Sequence, residues 1–290
     1  MPATSLPLSN RPALGALLLI CGELLLAVMA AMIKHLADQG IASEVMVFCR
    51  NLFGLLFLLP LLWRGGLRQV RTRRIGIHLL RAATGVGAMF LFFYTIAHVT
   101  LAEAVLVKMT APFFLPLVAL LWLGEKVRTT TWWAIVLGFS GVMLILQPGG
   151  NFNPVLLLAL ASAALMAVAK VSIRRMADSE PPRRIVFWFG VFSTLISALP
   201  MWRVTVWPEG QQWLWLLAIG AIATGAQLAM THAYQLASPG RIGVYNYSSV
   251  IWAVLLGWWF WGETLALTFL FGSLIIVAAG IWNLRSQRPS

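Results

Sequence analysis

The stretch Ala13–Ala37, ALGALLLICGELLLAVMAAMIKHLA, decides the class of this protein. A helix needs roughly 20 apolar residues to cross the hydrocarbon core of a bilayer, and this run exceeds that length with Glu23 and Lys34 inside it. Val28 and Ala30 loosely resemble a signal-peptide cleavage site, but the run is too long for a signal core and reads as a retained first helix. The other residues of the 290-residue chain follow suit, since 60% of the chain is hydrophobic and 10% charged. In water such a composition would expose apolar patches that soluble monomers avoid. The chain is expected to be an all-α integral membrane protein.

Breaks at charge clusters, Pro and Gly divide the chain into ten candidate spans, near 13–37, 43–63, 75–97, 101–121, 130–147, 153–175, 184–202, 212–236, 240–261 and 265–284. The strongest breaks are Arg64–Arg74, Gln147–Pro154, Arg174–Arg184 and Pro208–Gln212. The charges test this division. With both termini on one side, fifteen of the 21 basic residues fall on that side: Arg11, five within 64–74, Lys126 and Arg128, four within 174–184, Arg241, Arg285 and Arg288. The opposite loops hold only Arg203. Under the positive-inside rule the termini are cytoplasmic and the expected location is the cell inner (plasma) membrane. This placement also accounts for the +12 charge without a nucleic-acid partner. Cys21 and Cys49 lie in apolar runs, so no structural disulfide is expected.

The two halves echo each other. Ala27, Ala31 and Lys34 recur as Ala163, Ala167 and Lys170; Leu59-Pro60 as Leu199-Pro200; Tyr94 and Ala97 as Tyr234 and Ala237; Gly124-Glu125 as Gly262-Glu263. The order is the same in both halves. Five helices per half, an odd number, make the second half enter the membrane from the other side. The expected architecture is two inverted five-helix repeats, 13–147 and 153–284, the design that lets secondary transporters hold a substrate between halves and open to either face.

The segment Ala102–Lys126, AEAVLVKMTAPFFLPLVALLWLGEK, and its partner Ile242–Glu263 resemble the EamA domain of the drug/metabolite transporter superfamily. The resemblance covers nearly the whole chain in two copies. It implies ten helices, cytoplasmic termini, a central cavity and transport of a small polar metabolite, without fixing the substrate. Arg81 near the start of helix 3 and the run Leu101–Ala104 look closer to organic-anion and S-adenosylmethionine carriers than to aromatic amino-acid exporters.

An ionised side chain near a helix centre costs about 2.5–3.5 kcal/mol on insertion scales, so it is paired, wetted or functional. Arg50, Arg81 and Lys108 lie about two turns inside their spans. Lys34 and Lys170 lie near span ends, where snorkelling to the interface is the favoured reading. Glu23, Ala27, Ala30 and Lys34 form one helical stripe. Further polar stripes run along helix 8 (Gly220, Thr224, Gln227, Thr231, Gln235) and helix 9 (Asn246, Ser249, Ala253, Gly257), and both are expected to face the interior. If these groups share a cavity, its charge is net positive and favours a carboxylate, phosphate or sulfonate. The substrate-binding candidates are Arg50, Arg81, Lys108, Gln227, Thr231, Asn246 and Ser249. Glu23 is the candidate for proton coupling, with pairing to Arg81 or Arg50 as the structural alternative. Glu125 and Glu263, at helix ends, are expected to cap the next helix or bond within loops.

The expected function is secondary transport, by alternating access, of a small anionic or zwitterionic metabolite such as an organic acid, an amino acid or an S-adenosylmethionine-like compound. Alternatives are proton-coupled export of cationic or amphipathic drug-like compounds, a channel, and a membrane-embedded enzyme. The four His residues are isolated, no His-Glu-x-x-His is present and no phosphate-cradling glycine loop occurs. No metal, cofactor or catalytic residue is therefore expected; the partners are the lipid bilayer, a small-molecule substrate and protons as a coupling ion.

Overall fold

A computed structural model describes residues 11–63, 71–146, 153–176, 179–237 and 242–286, and among these every regular element is helical. The expected linkers at 64–70, 147–152 and 238–241, with Arg64, Arg68 and Arg241, lie outside the described residues, as does Arg288. In chain order the helices are α1 (Pro12–Asp38), α2 (Ser43–Trp63), α3 (Ile75–His98), α4 (Leu101–Lys108), α5 (Ala111–Leu123), α6 (Thr129–Leu146), α7 (Val155–Met176), α8 (Pro182–Ala198), α9 (Gln212–Leu236), α10 (Ser248–Trp261) and α11 (Leu267–Ser286). Short 3₁₀ turns at Leu199–Arg203 and Gly243–Tyr247 follow α8 and precede α10. Among the described residues, eight segments are long and apolar enough to cross a bilayer: 12–38, 75–98, 101–123, 129–146, 155–176, 184–203, 212–234 and 267–285.

Local chemistry sets the helix ends. Thr100 and Glu103 form a capping box at the start of α4, with the Thr100 hydroxyl accepting the Glu103 N–H (3.3 Å) and the Glu103 carboxylate accepting the Thr100 backbone N–H (3.3 Å). The span near 101–121, expected as one helix, is broken at Met109–Thr110. Pro112 has no N–H to offer the Lys108 carbonyl. The Thr110 hydroxyl and amide instead both turn back to the Val107 carbonyl (2.6 and 3.1 Å). The second half is interrupted at the corresponding place, where the 3₁₀ turn meets α10 at Ser248. Helices α5 and α10 end alike, on Gly124 (φ 69°) and Gly262 (φ 63°) in the left-handed region that glycine tolerates. The next residue then donates its N–H back six positions, Glu125 to Ala119 and Glu263 to Gly257. This helix-terminating motif fixes where each glutamate begins.

Helix α1 packs on α9 and α7 on α3; α2 packs on α9 and α8 on α3; α1 packs on α10 and α7 on α5. Helices α2 and α8, α4 and α10, and α6 and α11 close the bundle. Gly141 and Gly272 let α6 and α11 touch backbone to backbone, since a Cβ on either would lie 2.8–2.9 Å from the other's carbonyl oxygen. Large apolar side chains such as Leu121, Leu199, Leu214 and Trp259 point outward, two-thirds or more exposed except Leu214, which is 65% exposed. That surface is suited to lipid. Trp132, Trp133, Trp202, Trp207 and Trp213 are likewise exposed.

Candidate functional site

The stripe read along helix 1 is interior: Glu23, Ala27, Ala30 and Lys34 are all buried. Across from Glu23, the break between α4 and α5 presents Lys108, whose ammonium lies 4.2 Å from the centre of the Phe92 ring. Lys108 ends α4, where the carbonyl end of the helix favours a cation. Glu23, Lys108, Lys170 of α7 and Arg50 of α2 form one electrostatic neighbourhood, in which Lys108 feels all three others. The charges that act on Glu23 are Lys108 and Lys170, and neither Arg81 nor Arg50 forms an ion pair with it within 4 Å. No ion pair within 4 Å forms among these four groups. Ser249, also expected at the site, is buried beside them and donates to the Asn246 carbonyl (2.9 Å).

Beside this cluster lies a cavity of about 660 Å³, within the usual range for small-molecule sites. Lys170, Tyr234, Asn246 and Asn283 line its inner part, and Glu125, Lys126, Arg128 and Arg174 its mouth. The Tyr234 hydroxyl donates to the Asn246 carboxamide oxygen (3.1 Å), which holds two wall residues in place. Four cations against one carboxylate make the wall positive. A second pocket of about 20 Å³, room for about one water, brings Arg50 together with Asn51, Gly54, Ser193, Thr224 and Gln227. There Arg50 donates to the Asn51 side chain (2.9 Å).

Four expected site residues line neither space: Lys108 and Ser249 belong to the neighbouring charge cluster, and Arg81 and Thr231 lie apart from it as well. Arg81 stacks on the Phe189 ring (4.1 Å), and its buried Nε and Nη1 have no hydrogen-bond partner among the described residues. Thr231 is exposed, because its hydroxyl satisfies itself on the Gln227 carbonyl one turn back (2.7 Å); a back-bonded threonine does not need the interior. Gly220 and Thr224 of the same stripe are buried, so the stripe turns outward along its length.

The end of the bundle opposite the basic loops is sealed. Lys34, expected to snorkel, is buried and donates to the Glu263 carboxylate (2.6 Å) and the Val99 carbonyl (2.8 Å). Both oxygens of Glu263 accept the Leu101 N–H (2.9 and 3.1 Å), so Glu263 caps the start of α4 rather than the helix that follows it. Trp261 covers the pair, with its ring 5.6 Å from the lysine nitrogen and its indole N–H donated to Asp38 (2.7 Å). At the basic end Glu125 pairs with Arg174 (2.9 Å), a partner 65% exposed. The residues missed in sequence are thus Lys34, Glu263 and Trp261 as one unit.

The geometry is matched by comparison with known proteins. The profile of the EamA-like transporter family matches twice, over residues 13–147 and 153–285. A pseudopaline exporter of Pseudomonas aeruginosa is 32% identical over 270 residues, covering 91% of this chain and 94% of that protein. A riboflavin transporter of Brucella anthropi is 30% identical over 256 residues (86% and 90% covered). An S-adenosylmethionine uptake transporter of Rickettsia felis is 22% identical over 260 residues (89% and 88% covered). One crystal structure shares the fold with a TM-score of 0.64 at 18% identity, over 93% of this chain and 95% of that one. With apolar helices long enough to span a bilayer, a cavity between them and two matches to one profile, the chain belongs to the EamA-like transporter family.

Proposed function

We propose that this chain is a multi-pass secondary transporter of a small anionic or zwitterionic metabolite, working by alternating access between two inverted five-helix halves, 13–147 and 153–284. The observation that carries the substrate class is the 660 Å³ cavity, whose wall sets Lys126, Arg128, Lys170 and Arg174 against Glu125 alone. A cavity of that sign attracts carboxylate, phosphate or sulfonate and repels cations. The relatives named for pseudopaline, riboflavin and S-adenosylmethionine support a metabolite as cargo.

Helix contacts support the two halves. Exchanging α1–α6 for α7–α11 turns the α1–α9 contact into α7–α3, α2–α9 into α8–α3, and α1–α10 into α7–α5, while α2–α8 and α6–α11 map onto themselves. An odd number of spans per half reverses the second half in the membrane. The basic loops then lie in the cytoplasm with both termini, at the inner membrane, and the cavity faces inward. Arg50, Lys108, Gln227, Asn246 and Ser249 are the substrate-facing residues of this reading, with Lys170 added. Glu23, beside Lys108 and Lys170, is its proton-coupling group.

Counterflow in proteoliposomes tests the proposal. Preloaded substrate should drive saturable exchange for one member of a panel of small carboxylates and phosphorylated metabolites. Lys170→Ala and Lys108→Ala should each raise KM about tenfold, the loss of one charged hydrogen bond. Exchange of cationic compounds alone, or KM unmoved in both variants, would refute the anionic class.

A further inference from the structure

The two ends of the bundle carry the same parts in different states. At the sealed end Lys34 holds Glu263, with side chains 11% and 9% exposed. At the basic end the corresponding residues are Lys170 and Glu125, placed by the same sequence marks and, for both glutamates, by the same helix-ending turn. There the pair is undone. Lys170 lies exposed in the cavity wall and Glu125 reaches instead to Arg174 at the surface. The closed pair ties four elements together, because Lys34 also holds the end of α3 at Val99 and Glu263 the start of α4 at Leu101.

We infer that Lys34–Glu263 and Lys170–Glu125 are reciprocal latches of the transport cycle, one closed while the other is open, and that the two are built with unequal strength. The reciprocity rests on the alternating-access reading above; the inequality is written in the residues around each latch. Glu263 has Gly257 beneath it, and a Cβ there would collide with its carboxylate. Glu125 lies 138 positions before Glu263, and at that offset Ala119 stands for Gly257. The alanine methyl fills the recess that receives the carboxylate at the other latch. The Lys170–Glu125 latch therefore closes more weakly, and the resting protein favours the form with Lys34–Glu263 shut and the cavity open at the basic end. An inward-facing preference of this kind presents the site to cytoplasmic substrate and leaves the outward form as the minor state.

The test reads accessibility rather than transport. Asn246→Cys in the cavity wall, in a background with Cys21→Ser and Cys49→Ala, is labelled by a membrane-impermeant maleimide in right-side-out and inverted vesicles. The parent should label mainly from the side of the basic loops. Glu263→Gln, and independently Lys34→Gln, should raise labelling from the opposite side roughly tenfold, whereas Glu125→Gln should lower it. The charge exchange Lys34→Glu with Glu263→Lys should return labelling toward the parent ratio, which separates a latch from a merely structural contact. Unchanged labelling in Lys34→Gln and Glu263→Gln, or a shift in the same direction in Glu125→Gln, would overturn the inference. Equal labelling from both sides in the parent would overturn the unequal strength of the latches, whereas labelling from one side alone in every variant, together with no counterflow, would sink the alternating-access reading and the latches with it.

Discussion

Replacing Gly257 by alanine should destabilise this protein, although the same change in an open helix stabilises. Alanine gains about 1 kcal/mol over glycine in a helix interior. Against this, the new Cβ would occupy the place of the Glu263 carboxylate, with the Leu101 side chain behind it at 3.6 Å. Glu263 must then give up its bonds to the Lys34 ammonium (2.6 Å) and the Leu101 amide (2.9 Å). Bonds to charged groups contribute about 1.5–3 kcal/mol each, so losing both costs about 3 kcal/mol at the low end and leaves a net loss of about 2 kcal/mol. For a domain of 150–250 residues each kcal/mol shifts Tm by roughly 2–4 °C, so a fall of about 4–8 °C is expected. Thermal unfolding in detergent, followed by the fluorescence of the 14 tryptophans, measures it. Gly76→Ala, where nothing lies within 4 Å of the new Cβ, is the control and should show no fall. In a Glu263→Ala background the Gly257→Ala penalty should vanish, because the group it displaces is gone. A Tm equal to the parent's, or the same penalty with and without Glu263, would refute the reasoning.

Three further outcomes are expected. Glu23→Gln should abolish the dependence of uptake on an imposed proton gradient while leaving counterflow intact; gradient dependence equal to the parent's would make Glu23 only a counter-ion for Lys108 and Lys170. Glu180, in the loop before α8, would be raised in pKa by its burial, but hydrogen bonds from Thr72 and Arg184 and the charges of Arg184 and His78 outweigh this and hold its carboxyl below the ordinary value of 4.5. A carboxyl depressed in the folded state adds stability that is complete above its unfolded value and vanishes as pH falls through the folded one. Tm should therefore hold down to about pH 4.5 and drop below it, and Glu180→Gln should flatten that acid limb; an unaltered limb counts against the cluster. Gly141→Leu should separate α6 from α11, since its Cβ would already meet the Gly272 carbonyl and the Ile276 side chain, both at 2.9 Å; a folded variant with parental Tm would show that this contact is dispensable.

The helices were legible because each span is a long apolar run, and Pro12–Asp38 and Gln212–Leu236 end within one or two residues of the sequence reading. Turn chemistry is written locally at Thr100-x-x-Glu103, the spacing of a capping box. A proline at position 112 implies a kink, and the structure has a full interruption there because Thr110 supplies the competing bond to Val107. The pairing of Lys34 with Glu263 lies beyond any local pattern: the partners are 229 positions apart. A lysine one turn from a helix end has two good fates, water or a buried acid, and only the packing of α1 on α10 chooses between them. Thr231 misled for the opposite reason, since a polar stripe implies an interior face only when its members need partners from other helices.

If the two halves alternate as proposed, the contrast between Lys34 and Lys170 bears on how that cycle would balance its energies. A lysine at bilayer depth costs about 2.5–3.5 kcal/mol if left dry, and two halves with matching lysines could not both leave theirs unpaired in lipid. In this structure one lysine is neutralised by Glu263 while the other lines the cavity. Moving the opening from one end to the other would exchange these roles: Lys170 loses water as it gains Glu125, and Lys34 loses Glu263 as it gains water. The desolvation cost and the ion-pair gain change hands together, so the two states stay within a few kcal/mol although each contains a buried charge pair. A substrate anion that binds Lys170 and Lys108 would supply the remaining bias, since it replaces the water that a closing cavity must lose. An exchange-only carrier, slow to reorient when empty, is the behaviour such a balance produces when the bound anion contributes more to closure than the weak Glu125 latch.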